Sequence, residues 1–115
     1  MRVDHIQLAI PKGSEARCRP FWLALGFTEQ DKPEALRSRG GLWLRCGAVD
    51  LHLGVDPIFT PATKAHPGLA TATLDALATA LTTLGAPVQW DSTIPTRRRF
   101  FTQDPVGNRI EFLED

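Results

Sequence analysis

The chain has 115 residues and a mass of 12.7 kDa, enough for one domain or two merged half-domains that bury about two-thirds of their unfolded surface. Thirteen Lys and Arg cancel thirteen Asp and Glu, so the chain lacks the positive field that general nucleic-acid or anionic-membrane binding needs. Two cysteines exclude a disulfide scaffold, and no apolar run approaches the roughly 20 residues of a membrane span.

The opening MRVDHIQLAI sets Asp4 and His5 where a secretory leader would be apolar, so a soluble cytoplasmic protein is expected. Residues 2–10 alternate, with Ile6, Leu8 and Ile10 on one face and Val3, His5, Gln7 and Ala9 on the other. Pro11, Lys12 and Gly13 break this strand. Cys18, Phe21, Trp22 and Leu25 then follow helical spacing, and Gly26 is a natural stop. Pro20 fits if the helix starts near Arg17, or if it kinks. A short strand at 27–31 leads through a loop containing Pro33, Gly40 and Gly41 to strands at 42–46 and 49–55. Residues 56–65, with two prolines and no periodicity, read as a linker.

After the linker the order returns. A strand at 66–73 precedes a helix striped by Leu74, Leu77, Leu81 and Leu84, with Thr73 as its N-cap and Gly85 as its stop. Strands at 88–91, 98–103 and 109–113 follow, the last two joined by the turn DPVGN. Both halves therefore read β-α-β-β-β, one module at about 1–55 and the other at 66–115, in an α+β chain.

Arithmetic supports the repeat. Each helix ends Leu-Gly, at Leu25-Gly26 and Leu84-Gly85, and a Gln follows each Gly by four positions. From Gly26 to His52 is 26 residues, and from Gly85 to Glu111 is again 26. From His5 to Gly26 is 21 residues and from His66 to Gly85 is 19, so His5 matches His66 to within two positions, and His52 matches Glu111. Strand alternation sets each of these four opposite the residues that would pack under a helix, so they share one inferred face. All three histidines of the chain are in the set. Three imidazoles and a carboxylate suit Zn, Ni, Co, Mn or Fe(II), and the donors alone do not choose among them. Four ligands also leave room for a substrate on a five- or six-coordinate ion.

These residues resemble the vicinal oxygen chelate superfamily, which includes glyoxalase I, fosfomycin-resistance proteins, extradiol dioxygenases and bleomycin-binding proteins. The resemblance runs through VDHIQLAI, FWLALGF, LHLGV, KAHPGLAT and FFTQDPVGNRIEFLE, and the closing DP-x-GN-x-I-E pattern is its most specific part. It implies two βαβββ modules whose strands curl around a metal site, with helices on the outer face of the sheet. It also implies His5, His52, His66 and Glu111 as the four ligands and Glu111 as the proton-shuttling base. One departure is His52, because glyoxalase I usually has a carboxylate there.

A small-molecule substrate with two neighbouring oxygens is then expected, in a divalent-metal-dependent lyase or isomerase. Trp43, Arg45 and Arg99 are candidate substrate contacts: the first two lie opposite Leu42, Leu44 and Cys46, and alternation within Arg97–Arg99 aims at least one guanidinium at the inner face. Cys18 and Cys46 read as small core residues. A fosfomycin-type transferase or a ring-cleaving dioxygenase is a second reading, disfavoured because such enzymes commonly use a Tyr and this chain has none. A metal-free module that sequesters a drug-like ligand is a third. The resemblance further implies a homodimer.

Overall fold

A computed structural model describes residues 1–115. The element order is β1 (Ile6–Ile10), α1 (Glu15–Ala24), β2 (Thr28–Gln30), α2 (Glu34–Arg37), β3 (Leu42–Cys46) and β4 (Val49–Val55). It continues with β5 (Gly68–Thr71), α3 (Leu74–Thr83), β6 (Gln89–Asp91), β7 (Arg99–Gln103) and β8 (Arg109–Glu114). Two compact units divide at Thr60 and Pro61, within the stretch expected as a linker.

Each unit holds one mixed four-stranded sheet, ordered β1-β4-β3-β2 in the first and β5-β8-β7-β6 in the second. The outer pair β1·β4 is parallel and so is β5·β8, while the remaining neighbours run antiparallel. The register repeats as well: Gln7 lies opposite His52, and Gly68 lies opposite Glu111. Because Gln7 follows His5 by two positions and Gly68 follows His66 by two, the equivalence drawn from spacing holds at the level of strand pairing.

The helices end alike because the same glycine chemistry ends them. Gly26 (φ +93°) and Gly85 (φ +77°) take the left-handed conformation. Beyond them, Phe27 N–H donates to the Trp22 carbonyl at 3.1 Å and Ala86 N–H to the Leu81 carbonyl at 2.9 Å, the long bond of a Schellman stop. In the first unit α1 packs on β2 and β3, and Cys18, Phe21, Trp22, Leu42, Leu44, Leu51 and Leu53 form the core. In the second, α3 packs on β8 around Leu74, Leu81, Phe100, Ile110 and Phe112. The leucine stripe is narrower than its spacing suggested, since Leu84 is exposed.

Several boundaries differ from expectation. Helix α1 starts at Glu15, after Ser14, so Pro20 sits inside it and not in its first turn. Pro20 and Ala16 are both exposed, so the Ala16 carbonyl that Pro20 leaves without an N–H donor faces water. Strands β1 and β5 begin after His5 and His66, which therefore stand at strand entrances. The loop at 31–41 contains the one-turn helix α2, whose Leu36 N–H donates to the Pro33 carbonyl at 2.9 Å. No helix is long and apolar enough to cross a membrane.

Candidate functional site

In the first unit, three rings form a column across adjacent strands. Trp43 on β3 stacks on His52 of β4 with centroids 4.1 Å apart and planes 2° from parallel, and His52 stacks on His5 at 4.4 Å and 18°. The spacing follows from the sheet, because Trp43 and His52 are register partners and neighbouring strands lie about 4.8 Å apart. Burial, then the neighbouring His5, holds the His52 imidazole below its ordinary pKa. His5 Nδ1 lies 3.0 Å from Asp4 Oδ2, and this bond, with help from Arg2, lowers the Asp4 carboxyl. A cleft of about 240 Å³ opens beside the column, lined by Asp4, His5, Trp43, Arg45, Asp50 and His52 among others. Arg45 donates to Asp50 at 2.7 Å, so both charges in that part of the cleft are already paired.

In the second unit the equivalent positions carry charge. His66 Nε2 lies 3.1 Å from Glu111 Oε2, and Arg99 Nη1 donates to Glu111 Oε1 at 2.9 Å. Glu111 is buried at 7% exposure, with both oxygens engaged. Arg99 also reaches Asp91 at 3.4 Å, while its Nε is buried with no partner. Alternation explains the division of labour in the arginine run: Arg99 faces Glu111, and Arg98 turns the other way to pair with Asp75 at 2.7 Å and Glu114 at 3.2 Å. Sequence reasoning missed Arg109. It shares the Glu111 face of β8, lies 4.1 Å above the Phe101 ring and donates to the Lys64 carbonyl at 3.2 Å. Alternation already placed Arg109 beside Glu111; what the sequence lacked was the position of the 64–66 segment.

The ring nitrogens of His66 are held by opposite neighbours. Nδ1 lies 2.8 Å from the Lys64 carbonyl oxygen, which only accepts, with Arg109 Nη1 also 3.3 Å away. Nε2 faces the Glu111 carboxylate. The Lys64 carbonyl, nearer to Nδ1 than the donating Arg109, favours the tautomer with its hydrogen on Nδ1, which leaves Nε2 as the nitrogen that could share an ion with the Glu111 carboxylate. A His whose far nitrogen is fixed by a backbone carbonyl is the usual arrangement of a metal ligand. The 3.1 Å between Nε2 and Oε2 also matches two donors at right angles on one ion with bonds of about 2.1 Å.

This pair fits a divalent metal. The first unit's pair is a stack and not a chelate, because the in-plane lone pairs of two parallel rings do not converge. Bringing them together requires His5 to leave its stack on His52 and turn, and its side chain is 43% exposed with Asp4 as its one hydrogen-bond partner. No group of three or more His, Cys, Asp or Glu side chains is gathered closely enough to hold an ion. The structure thus brings together His5 with His52 and Trp43, and His66 with Glu111 and Arg99, while Arg45 stands at the edge of the first cleft.

A structure of a glyoxalase family protein from Bacillus anthracis is 40% identical to this chain, covers 100% of it and 95% of its own length, and superposes with a TM-score of 0.94. The chain belongs to the glyoxalase family, within the vicinal oxygen chelate superfamily. Two more distant structures share the fold. A lactoylglutathione lyase from Agrobacterium tumefaciens is 18% identical over 95% of this chain and 91% of its own, with a TM-score of 0.68. An antibiotic-binding protein from a Streptomyces species is 23% identical over 99% of this chain and 98% of its own, also at 0.68. No protein-family model matches the sequence, and no curated protein does.

Proposed function

We propose that the protein is a divalent-metal-dependent lyase or isomerase acting on a small substrate with two neighbouring oxygens. The observation that carries this reading is the His66–Glu111 pair, with Nε2 and Oε2 3.1 Å apart and the far nitrogen of the imidazole anchored on the Lys64 carbonyl. His5 and His52, the equivalent pair of the first unit, are the other two candidate donors, and His5 must turn off the His52 ring before it can ligate. When bound, such an ion polarises neighbouring substrate oxygens and stabilises the negative charge that develops on them.

The chain's own groups divide the remaining work. Glu111 is the proton acceptor, and Arg99 holds its Oε1 so that Oε2 alone is directed at the site. The reading includes a homodimer, supported by two sheets that each end in open edge strands. The test is metal titration of chelator-treated protein with Zn, Ni, Co, Mn and Fe(II), followed by calorimetry. About one ion per site should bind, and no uptake of any of the five overturns the proposal.

A second reading is a metal-free binding protein. The flat Trp43–His52–His5 column favours it, because aromatic faces beside a cleft hold planar ligands without any metal. Tight ligand binding that is indifferent to chelation, with no turnover, would select this second reading.

A further inference from the structure

A second cleft of about 240 Å³ lies in the first unit, lined by Gln7, Lys32, Leu36, Arg39, Trp43, His52 and Val55 among others. Its charge differs from that of its neighbour. The cleft beside Arg45 contains Asp4 and Asp50, and Arg45 and His5 are bound to them. The second cleft is lined by two cations and by no carboxylate. Lys32 Nζ donates to the Gly40 carbonyl at 2.6 Å, which fixes the ammonium at the cleft and leaves two of its hydrogens free. Gly41 N–H donates to the Glu15 carboxylate at 3.1 Å and is the main cause that holds it below the usual range, with Lys32 a lesser one. Arg39 has no side-chain partner at all, so its five donors are uncommitted.

The placement of these cations depends on α2. Pro33 starts the turn, Arg39 N–H closes it on the Leu36 carbonyl at 3.1 Å, and Arg37 Nε clamps the Lys32 carbonyl at 3.2 Å. Leu36, Val55 and Trp43 contribute apolar surface to the same cleft. A cleft of this size equals the volume of roughly eight liquid waters, so it admits a ligand of about ten heavy atoms.

We propose that this cleft binds the anionic group, a carboxylate or a phosphate, of a small ligand whose apolar body lies along Leu36, Val55 and Trp43. Arg39 is the fork that takes the oxyanion, and Lys32 is the second positive charge. The inference deepens the proposed function, since His52 lines both clefts and the ligand would be that site's substrate.

The test uses the full chain, first as purified and then after dialysis against a chelator. The probes are 3-phenylpropionate, its neutral amide and phenyl phosphate, followed by calorimetry and by the NMR shift of the Trp43 indole N–H. Both anions should move the Trp43 signal and bind at least 10-fold more tightly than the amide, in either metal state. Arg39→Ala should weaken both anions about 10-fold or more and leave the amide unchanged, and Lys32→Gln should weaken them less. Arg39 is exposed and unpaired, so the variant should melt like wild type. The tighter of the two anions identifies the head group. Equal affinity for acid and amide overturns the inference, as does unchanged anion binding by Arg39→Ala or an anion response that disappears with the metal. Metal uptake is scored separately: a chain that binds no metal but loses its anions in Arg39→Ala overturns the metal reading and keeps this one.

Discussion

Trp43 covers one face of the His52 ring and His5 covers the other, so a single imidazole is enclosed between two aromatic planes at 4.1 and 4.4 Å. Burial is the main cause of the lowered His52 pKa, with His5 second. Trp43→Ala removes one cover and should raise that pKa toward the ordinary imidazole value, as read from the ring-proton titration by NMR. A depressed imidazole contributes stability above its unfolded pKa and loses it as pH falls through the folded one. The destabilisation by Trp43→Ala, about 0.5–1.5 kcal/mol for the lost stacking, should therefore be largest at neutral pH and shrink in acid. A titration unchanged by the substitution would exclude burial as the cause.

Glu111→Gln exchanges one carboxylate oxygen for an amide of nearly equal size, so the fold should survive. The amide still offers an oxygen to an ion, more weakly, and accepts no proton at neutral pH. Metal affinity should fall moderately, and turnover of any substrate found by screening should fall about 100-fold or more. Full metal content together with full turnover would remove Glu111 from the site.

Asp104 is buried at 4% exposure, yet it closes the turn that aligns β7 with β8. Its Oδ1 accepts from Val106 N–H at 3.1 Å and from Asn108 N–H at 2.8 Å, and its Oδ2 accepts from Asn108 Nδ2 at 2.9 Å. Burial outweighs these bonds and raises the carboxyl above its ordinary value. A raised carboxyl favours the fold at low pH, and that contribution is lost as pH rises through the folded pKa. Asp104→Asn turns an amide toward Asn108 Nδ2 and should be less stable than wild type at pH 4. The gap should narrow by pH 7, because the variant has no charge to bury. Paired urea unfolding curves at the two pH values check this, and a gap that widens refutes it.

Gly41 has φ +86°, and a Cβ placed there collides with the Leu53 carbonyl oxygen of the neighbouring strand. Gly47 has φ +56° and open space around it. Gly47→Ala should cost about 1–2 kcal/mol, the ordinary penalty of a left-handed alanine. Gly41→Ala should cost well over 3 kcal/mol, because relieving the collision means parting β3 from β4. Equal losses in thermal denaturation would refute the collision as the cause.

Much of this architecture is legible in the sequence, because it rests on short-range rules. Alternation in 42–46 and 49–55 gives both strands their full extents, and the two Leu-Gly stops mark where each helix ends. The equal distances from those stops to His52 and Glu111 survive as equal register in the two sheets. Other features depend on tertiary neighbours that no local pattern announces. Helix α2 is one turn long, too short for periodicity to register. The stacking of His5 on His52 follows from a parallel pairing between segments more than forty residues apart. The turn formers of DPVGN announce a turn but not its burial: Asp104 and Asn108 are buried and bonded to each other.

The independence of α2 from strand registration has a consequence for how such a protein changes over generations. Strand β4 is aligned with β3 by the two-residue turn at Gly47 and Ala48, and with β1 by parallel pairing, so the placement of His52 owes nothing to residues 31–40. The second unit makes the equivalent crossing from β6 to β7 without any helix. Insertions and deletions in the first crossing can therefore accumulate without displacing the imidazole pair. If residues 31–40 take a ligand as proposed, preference can drift there without moving His52, and lineages that differ in what they bind should differ in the length and charge of this segment before they differ anywhere on β1, β4 or β8.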